Sequence, residues 1–215
     1  DLRGGGIKVK TIHGIKRQID AYNDAINVYG KNYKYMLFLD IDEFLVSKSL
    51  QDRSATIVEA MDYYFERLKP NAAGIGINWL MFGSNGHERH PDGGVIENYT
   101  RCAEDEFERN KMVKVCVKPE RVIGFVDPHL PWPLIGYEIE NADGECLRSP
   151  NSGHLPEDKS IRIHHYFLIS KEDFAKKVNK GFADRIDSYS MTIFEKFDRN
   201  ECYNDDCLKV WEKHL

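Results

Sequence analysis

Residues 35–44 are Tyr-Met-Leu-Phe-Leu-Asp-Ile-Asp-Glu-Phe: five apolar side chains followed at once by acidic ones. An apolar run this short predicts a β-strand that is buried on both faces, which is the usual state of strands in parallel sheets. At the carboxyl end of a parallel strand, the acidic residues would face the crevice in which α/β proteins bind their ligands.

Helical and strand patterns alternate on both sides of this run. Apolar residues at helical spacing predict a helix over residues 15–29, and Thr56 with Glu59 forms a capping-box pattern at the start of another. Residues 73–82 predict a second buried strand. This alternation predicts an α/β fold with a mixed, mostly parallel sheet flanked by helices.

The second half of the chain shows shorter elements. Residues 83–94, rich in Gly, Ser, Asn, His and Pro, predict a long loop, and such loops are often functional. Ser170 with Asp173 predicts the start of a helix that ends near Gly181. The remaining segments predict strands at 113–117, 121–126 and 161–168, and irregular structure at 127–133. An amphipathic pattern after Ser188 predicts a main domain over residues 1–187 and a helical C-terminal extension over residues 188–215.

Composition excludes several classes of protein. The chain has 215 residues, with 30 Lys and Arg against 35 Asp and Glu, and a formal net charge of −5. This mildly acidic balance gives no basic field for nucleic acid, so we expect no nucleic-acid partner. No apolar run approaches the ~20 residues of a membrane span, so we expect no membrane segment in this chain.

The five cysteines do not have the spacing of a zinc site. Cys202 and Cys207 could close a local disulfide, and Asn98-Tyr99-Thr100 matches an N-glycosylation sequon. Both features hint at a secretory compartment, while free thiols and an unused sequon explain them equally well.

Asp40 and Asp42 predict a metal site. They alternate along the chain, so both side chains can turn to one side as the strand ends. Paired carboxylates suit Mg²⁺ or Mn²⁺, which commonly keep phosphate oxygens in their remaining positions. A bare Asp-x-Asp also arises by chance, and both residues could instead cap a turn and face water. The apolar run in front of them favours the metal.

Several segments, in the same order along the chain, resemble the family 2/family 92-like glycosyltransferases. They are residues 17–25, 35–45, 78–87 and 114–119, followed by His129, His165-Tyr166, Ser170, Phe174, Lys177 and Gly181. The resemblance covers about residues 18–181. It implies a GT-A fold, Mn²⁺ or Mg²⁺, and a UDP- or GDP-sugar donor. It also implies transfer of the sugar to a hydroxyl of a glycan or another acceptor, usually with inversion.

The resemblance also implies that a first strand–helix–strand, which helps to hold the nucleotide base, precedes the residues seen here. Only about a dozen residues lie before the first predicted helix, so we expect either that the GT-A-like domain is incomplete at its amino end or that this part lies elsewhere. In this family Asp40 and Asp42 correspond to the Asp-x-Asp that bridges the metal and the donor diphosphate. His165 is the best match to a late histidine that often adds a metal ligand, and His129 is its rival.

Residue chemistry suggests further candidates. His164 and His165 are adjacent on a predicted strand and point to opposite faces, so one of them can reach the crevice. Lys114 could neutralise phosphate charge, although a lysine is usually solvated. Glu43 is either an acceptor behind the metal ligands or a solvated carboxylate. An aromatic face with small polar groups suits a sugar ring, and the candidates for that role are Trp79, Gly83, Ser84, His87 and His129.

A catalytic base must be a carboxylate within hydrogen-bond reach of the acceptor hydroxyl. We expect Asp127 in this role, because it precedes His129 at a strand end, with Glu88 and the Glu104-Asp105 pair as alternatives. Trp79 is equally compatible with a place in the core.

Two other functions remain open at the level of sequence. An Asp-x-Asp after an apolar strand also suits a phosphate-cleaving hydrolase in which Asp40 is the nucleophile. Alternatively, the chain is a carbohydrate-binding module without catalysis. The resemblance implies the Golgi lumen for a eukaryotic enzyme and the cytoplasm for a bacterial or viral one.

Overall fold

The computed structural model describes residues 6–52, 55–180 and 190–212. The helices are α1 (Gln18–Tyr29), α2 (Lys48–Gln51), α3 (Ile57–Phe65), α4 (Val95–Asn98), α5 (Lys171–Lys180), α6 (Met191–Phe197) and α7 (Asp206–Glu212). The strands are β1 (Met36–Leu37), β2 (Glu43–Ser47), β3 (Ala72–Met81), β4 (Arg101–Cys102), β5 (Val113–Val117), β6 (Val122–Phe125), β7 (Pro131–Pro133), β8 (Glu138–Glu140), β9 (Ile161–His165) and β10 (Cys202–Tyr203). Short 3₁₀ turns are found at Gly30–Asn32, Glu108–Lys111 and Pro119–Arg121.

The central sheet has the strand order β1-β5-β3-β9-β2, with β8 beside the first half of β3. β3 pairs in parallel with β8 and β9, whereas β1 with β5, β5 with β3, and β9 with β2 are antiparallel. The mixed α/β class flanked by helices, consistent with a GT-A-like fold, is confirmed. The expectation of a mostly parallel sheet is not met, because antiparallel pairs outnumber parallel ones in the described residues.

The apolar run at residues 35–39 forms less strand than its pattern predicts. Only Met36–Leu37 pairs, at an antiparallel edge, and both side chains are half-buried. The run is apolar for another reason: its flanking aromatic rings pack on α3, α1 and β6, outside the central sheet. Tyr35 stacks on Phe65 of α3, with ring centroids 4.8 Å apart, and Phe38 lies 4.8 Å from the Phe125 ring.

Residues 38–42 connect the two opposite edges of the sheet. β1 ends at Leu37 and β2 begins at Glu43. Six residue steps reach at most ~20 Å, while four strand spacings in a flat sheet span ~19 Å. The Glu43 amide also donates to the Asp40 carbonyl, 3.1 Å away, and this turn shortens the connection. The sheet edges must therefore curl toward each other, which brings both ends of the sheet under the Asp-x-Asp segment.

β3 forms the centre of the core, and all ten of its residues are buried. On one face, Ile75 and Ile77 belong to a cluster with Met61 of α3. On the other face, the cluster includes Ile26 of α1 and Val115 of β5. These two layers hold the carboxyl end of β3 in place.

Several locally encoded features are confirmed. Thr56 and Glu59 form a capping box on α3, and the Ser170 hydroxyl accepts from the Asp173 amide (3.2 Å) at the start of α5. Residues 83–94 form a loop. The sequence missed strands β2, β4 and β8 and the short helices α2 and α4. Residues 127–133, expected to be irregular, contain β7, and the C-terminal segment, expected to be helical, contains β10.

The C-terminal segment packs against the main body of the protein. Phe194 and Phe197 of α6 join a core cluster with Leu168 and Phe174, and β10 pairs with β4. The predicted boundary between residues 187 and 188 and the predicted helix end at Gly181 lie outside the described residues. No helix in the part of the chain that the structure describes is long and apolar enough to cross a membrane.

Candidate functional site

The Asp-x-Asp segment lies across the carboxyl ends of β3 and the neighbouring β9. Cα pairing places His165, the last residue of β9, opposite Met81 of β3 on one side and Glu43 of β2 on the other. The Tyr166 amide donates to the Asp42 carbonyl at 2.9 Å. Pairing between distant strands thus brings the predicted carboxylates and His165 to one place.

Asp40, Glu43 and Lys114 form the first part of the site, the Lys114 cluster. Lys114 is buried, with 1 % exposure, and its Nζ lies 3.1 Å from Asp40 Oδ2 and 3.6 Å from Glu43 Oε2. Glu43 is buried rather than solvated, and its Oε2 accepts from the Asp40 amide at 3.0 Å. Lys114 therefore sets the position of both carboxylates from within the core.

The balance of charges keeps this lysine protonated. Burial alone would lower the pKa of Lys114, but the carboxylates of Glu43 and Asp40 outweigh that effect and raise it. Burial raises the pKa of Glu43, and the charges of His165 and Lys114 partly offset this.

Helix α1 holds Asp40 from the other side. Gln18 Nε2 donates to Asp40 Oδ1, and the Tyr22 hydroxyl lies 3.4 Å from the same oxygen. Gln18 and Tyr22 are one turn apart on the same face of α1. The sequence analysis assigned no role to either residue. Two polar groups four residues apart, beside an apolar stripe, could have indicated that this face of the helix contacts a polar site.

Asp42, His165 and Lys177 form the second part, the Asp42 cluster. Lys177 Nζ donates to Asp42 Oδ2 at 2.9 Å, and His165 Nε2 lies 3.6 Å from Asp42 Oδ1. Burial acts to raise the pKa of Asp42, but His165 and the Lys177 ammonium outweigh it and hold that pKa well below its usual range. Lys177 is one of the residues that carry the family resemblance, but its contact with Asp42 was not predicted, because α5 is distant from Asp42 along the chain.

An aromatic group lines the same region. The Trp79 ring lies 4.3 Å from the His165 ring and 5.1 Å from the His129 ring, measured between centroids. His129 Nδ1 lies 3.0 Å from the Val113 carbonyl, and burial lowers its pKa. His164 packs on Phe82 instead, so adjacent histidines do face opposite sides as predicted.

Three buried polar atoms at this place have no hydrogen-bond partner within the described residues. They are Trp79 Nε1, His165 Nδ1 and Glu43 Oε1. Two of them, His165 Nδ1 and Glu43 Oε1, lie 3.9 Å apart, beyond hydrogen-bond distance. Buried polar groups are normally paired, so a water, an ion or a ligand would complete the hydrogen bonding here.

Asp127 lies beside His129, and one of its carboxylate oxygens already accepts hydrogen bonds from the backbone. Its Oδ1 accepts from the amides of His129 (2.7 Å) and Leu130 (3.2 Å), which fixes the turn before β7. Its carboxylate is half-buried beside His129.

The other predicted sugar-binding residues lie elsewhere. Ser84 is buried, and its amide and hydroxyl both donate to Asp198, while His87 packs on Tyr99 with ring centroids 5.4 Å apart. A Cβ on Gly83 would lie 2.2 Å from the Arg199 carbonyl oxygen. Ser84 and His87 instead border a separate cavity of about 360 Å³, lined also by Lys171, Met191, Phe194 and Asp198.

The described residues contain no group of three or more His, Cys, Asp or Glu side chains arranged to hold a metal ion. Asp40 and Asp42 contact different partners. Asp40 contacts Lys114 and Gln18. Asp42 contacts His165 and Lys177. A carboxylate and an imidazole, which are both common ligands of divalent metals, do lie together here. His165 Nε2 is 3.6 Å from Asp42 Oδ1, and His165 Nδ1 is 3.9 Å from Glu43 Oε1.

The model of glycosyltransferase family 92 matches residues 9–199, most of the chain. This segment contains both clusters and the aromatic group. Comparison with curated proteins gives no match.

Proposed function

Because the chain belongs to glycosyltransferase family 92, we propose that it transfers a sugar from a UDP- or GDP-sugar to a hydroxyl of a glycan or another acceptor. Membership in the family supports glycosyl transfer between a sugar donor and an acceptor. Our proposal goes further in three respects: the donor is a nucleotide sugar, the reaction depends on Mn²⁺ or Mg²⁺, and the anomeric centre is inverted.

The observation that carries this proposal is the convergence of two ammonium groups on the Asp-x-Asp segment. Lys114 approaches Asp40 at 3.1 Å and Lys177 approaches Asp42 at 2.9 Å. A leaving diphosphate gains negative charge, and fixed cations at its binding place stabilise that charge. Water molecules must reorient as the charge develops, whereas these two ammonium groups are already in position before the reaction begins.

A metal ion would be held by Asp42 and His165, with Asp40 beside them. When bound, it would supply Lewis-acid stabilisation of the departing diphosphate. Lys177 neutralises Asp42, and its ammonium would contribute positive charge beside the phosphate oxygens of the donor. Gln18 and Tyr22 keep Asp40 oriented throughout.

The remaining residues bind the sugar and accept the proton. Trp79 belongs to the core cluster, with 7 % exposure, and its Nε1 is a donor without a hydrogen-bond partner in the described residues. His129, half-buried beside it, would border the transferred sugar. Asp127 takes the proton of the acceptor hydroxyl as that oxygen attacks the anomeric carbon. The bond from this carbon to the diphosphate breaks on the opposite side, which inverts the centre.

The proposal is tested by measuring transfer and hydrolysis with a panel of UDP- and GDP-sugars, with Mn²⁺, Mg²⁺ or EDTA. We expect activity that requires the metal and that Asp42→Asn reduces at least 100-fold. Asp62→Asn is the matched control, because Asp62 is also paired with a lysine, Lys34, but lies on α3 away from the site. Full activity of Asp42→Asn, or activity unchanged in EDTA, would refute metal dependence.

The same preparations separate the two alternative functions. A hydrolase that uses Asp40 as nucleophile would be trapped by beryllofluoride. A carbohydrate-binding module would bind sugars without transferring them, and calorimetry with Mn²⁺ and UDP would show no heat at millimolar ligand.

A further inference from the structure

Two cysteines lie directly opposite each other outside the site. In the ribbon of β4 and β10, Cys102 is the Cα partner of Cys202. Cys102 is 2 % exposed and belongs to a core cluster, while Cys202 is exposed at the surface. All five thiols are free in the structure. The sequence had suggested Cys202 with Cys207, so the structure supplies a different partner for Cys202.

The geometry of an antiparallel ribbon matches a disulfide. Directly opposite residues have Cα atoms ~4.5–5.5 Å apart and side chains on the same face. Disulfides are found at Cα separations of ~4.4–6.8 Å. The pairing therefore places the two cysteines within the range of Cα separations at which disulfides are found.

Neighbouring contacts support this pairing independently. The Asn204 amide donates to the Thr100 carbonyl at 2.8 Å, two residues along the ribbon. The Arg101 guanidinium lies over the Tyr203 ring, 5.9 Å from its centroid. Because Arg101 and Tyr203 meet on one face, the alternating residues Cys102 and Cys202 meet on the other.

We propose that Cys102 and Cys202 form a disulfide bond under oxidising conditions, and that this bond fastens the C-terminal segment, residues 190–212, to the end of the central sheet. The proposal concerns the fold alone and does not depend on the enzymatic activity proposed above.

The oxidant is a disulfide of the glutathione class. The exposed Cys202 thiolate attacks it, forms a mixed disulfide and releases one glutathione thiol. Cys102 then attacks Cys202 Sγ and expels the second glutathione thiol. Two electrons pass from the cysteine sulfurs to the oxidant, and the two cysteine protons end on the glutathione thiols. Burial raises the pKa of Cys102 to about 12, with a further contribution from Cys202, so the exposed cysteine reacts first.

The bond would lie close to contacts that hold the end of β3. Asp198 accepts from the Ser84 amide at 2.6 Å, and Asn200 Oδ1 accepts from the Asn85 amide at 2.8 Å. Asp198 and Asn200 precede Cys202 by only a few residues. Fixing Cys202 therefore fixes the wall of the cavity beside Ser84.

The experiment treats the full chain with oxidised glutathione and counts thiols in denaturant. We expect five thiols before oxidation and three afterwards, and a peptide linking Cys102 to Cys202 in a non-reducing digest. Cys202→Ser should block the linked peptide and leave four thiols. Cys146→Ser changes a cysteine that is not the strand partner of another cysteine, so this variant should still form the linked peptide.

Stability provides the second readout. Closing a loop of about 100 residues should raise Tm by on the order of 10 °C in wild type, and dithiothreitol or Cys202→Ser should remove this rise. A linkage of Cys202 to Cys207, a disulfide-linked dimer through Cys202, or five thiols that persist after oxidation would each overturn the proposal.

Discussion

Lys114 carries its charge into the core of the protein and meets Asp40 and Glu43 there. Removing one member of a buried ion pair leaves an uncompensated charge, which costs more than the pair contributes. We expect Lys114→Met to lower the free energy of unfolding by about 3–5 kcal/mol, measured by urea denaturation. The exposed Lys34→Met should change it by less than about 1 kcal/mol.

A companion variant distinguishes charge from packing. Lys114→Met combined with Glu43→Gln removes one of the stranded carboxylates and should recover part of the lost stability. If the double variant is no more stable than the single one, the loss comes from the shape of the lysine and not from its charge.

Asp127 is proposed both to hold a turn and to accept a proton. Asn keeps an oxygen acceptor for the amides of His129 and Leu130 but cannot take the proton. We expect Asp127→Asn to reduce kcat about 10²–10⁴-fold, with KM and Tm nearly unchanged. A fall in Tm with kcat preserved would assign Asp127 to the turn alone and leave Glu88 or the Glu104-Asp105 pair as base candidates.

At this scale, the sequence predicted the residues whose chemistry is local. The separation of His164 from His165 followed from strand alternation. Asp40 and Asp42 were expected to turn to one side and hold a metal; they contact different partners, and metal binding stays a prediction. The burial of Lys114 and the contact of Lys177 with Asp42 could not be predicted, because each depends on which distant strand or helix lies alongside.

At the scale of the element, helix α5 links its N-terminal cap to the site. Ser170 and Asp173 close its first turn, and Lys177, one turn further on, reaches Asp42. Ser170→Ala should lower stability by about 1 kcal/mol, whereas Ser170→Thr should retain most of it. The expected readouts are Tm and the KM for the donor, since a frayed first turn also displaces Lys177.

The same cap makes the stability of the fold depend on pH. Burial tends to raise the pKa of Asp173, but hydrogen bonds from Lys176, His90 and Ser170 outweigh it and lower that pKa to about 2. The folded-state pKa is below the unfolded one, so Asp173 stabilises the fold above about pH 4, and this stabilisation is lost as the pH falls toward 2. Asp173→Asn should therefore differ from wild type in urea stability at pH 6 and converge with it near pH 2.

Elements with local signals were predicted and elements with only distant partners were not. Thr56 and Ser170 caps are encoded within four residues, and β3 has a long apolar run. β2 was missed because Glu43–Ser47 becomes a strand only by pairing with Ile161–His165. The mostly parallel sheet was expected because helices and strands alternate, but β5 and β9 arrive in antiparallel and mixed pairings that the alternation does not encode.

At the scale of the whole molecule, Gly83 is the point where the C-terminal segment meets the sheet. A Cβ at this position would lie 2.2 Å from the Arg199 carbonyl oxygen and 2.5 Å from Asn200 Oδ1. We expect Gly83→Ala to lower the free energy of unfolding by about 1–3 kcal/mol, because the backbone of residues 199–200 must move. Hydrogen exchange should increase in α6 and β10.

Gly6→Ala is the control, since a Cβ there meets nothing within 4 Å. This measurement also tests the predicted division at residue 187. If residues 188–215 form a separate extension, exchange should increase only in that segment, without loss of global stability.

The sheet order also has a consequence for synthesis on the ribosome. β2 follows β1 closely in the chain, yet its described partner β9 is made more than a hundred residues later. At about 5–20 residues per second, Phe44, Leu45 and Val46 leave the exit tunnel on the order of ten seconds before anything can pair with them. An unpaired apolar strand is a template for aggregation. We therefore expect the nascent chain to be most prone to aggregation in the interval before β9 is made.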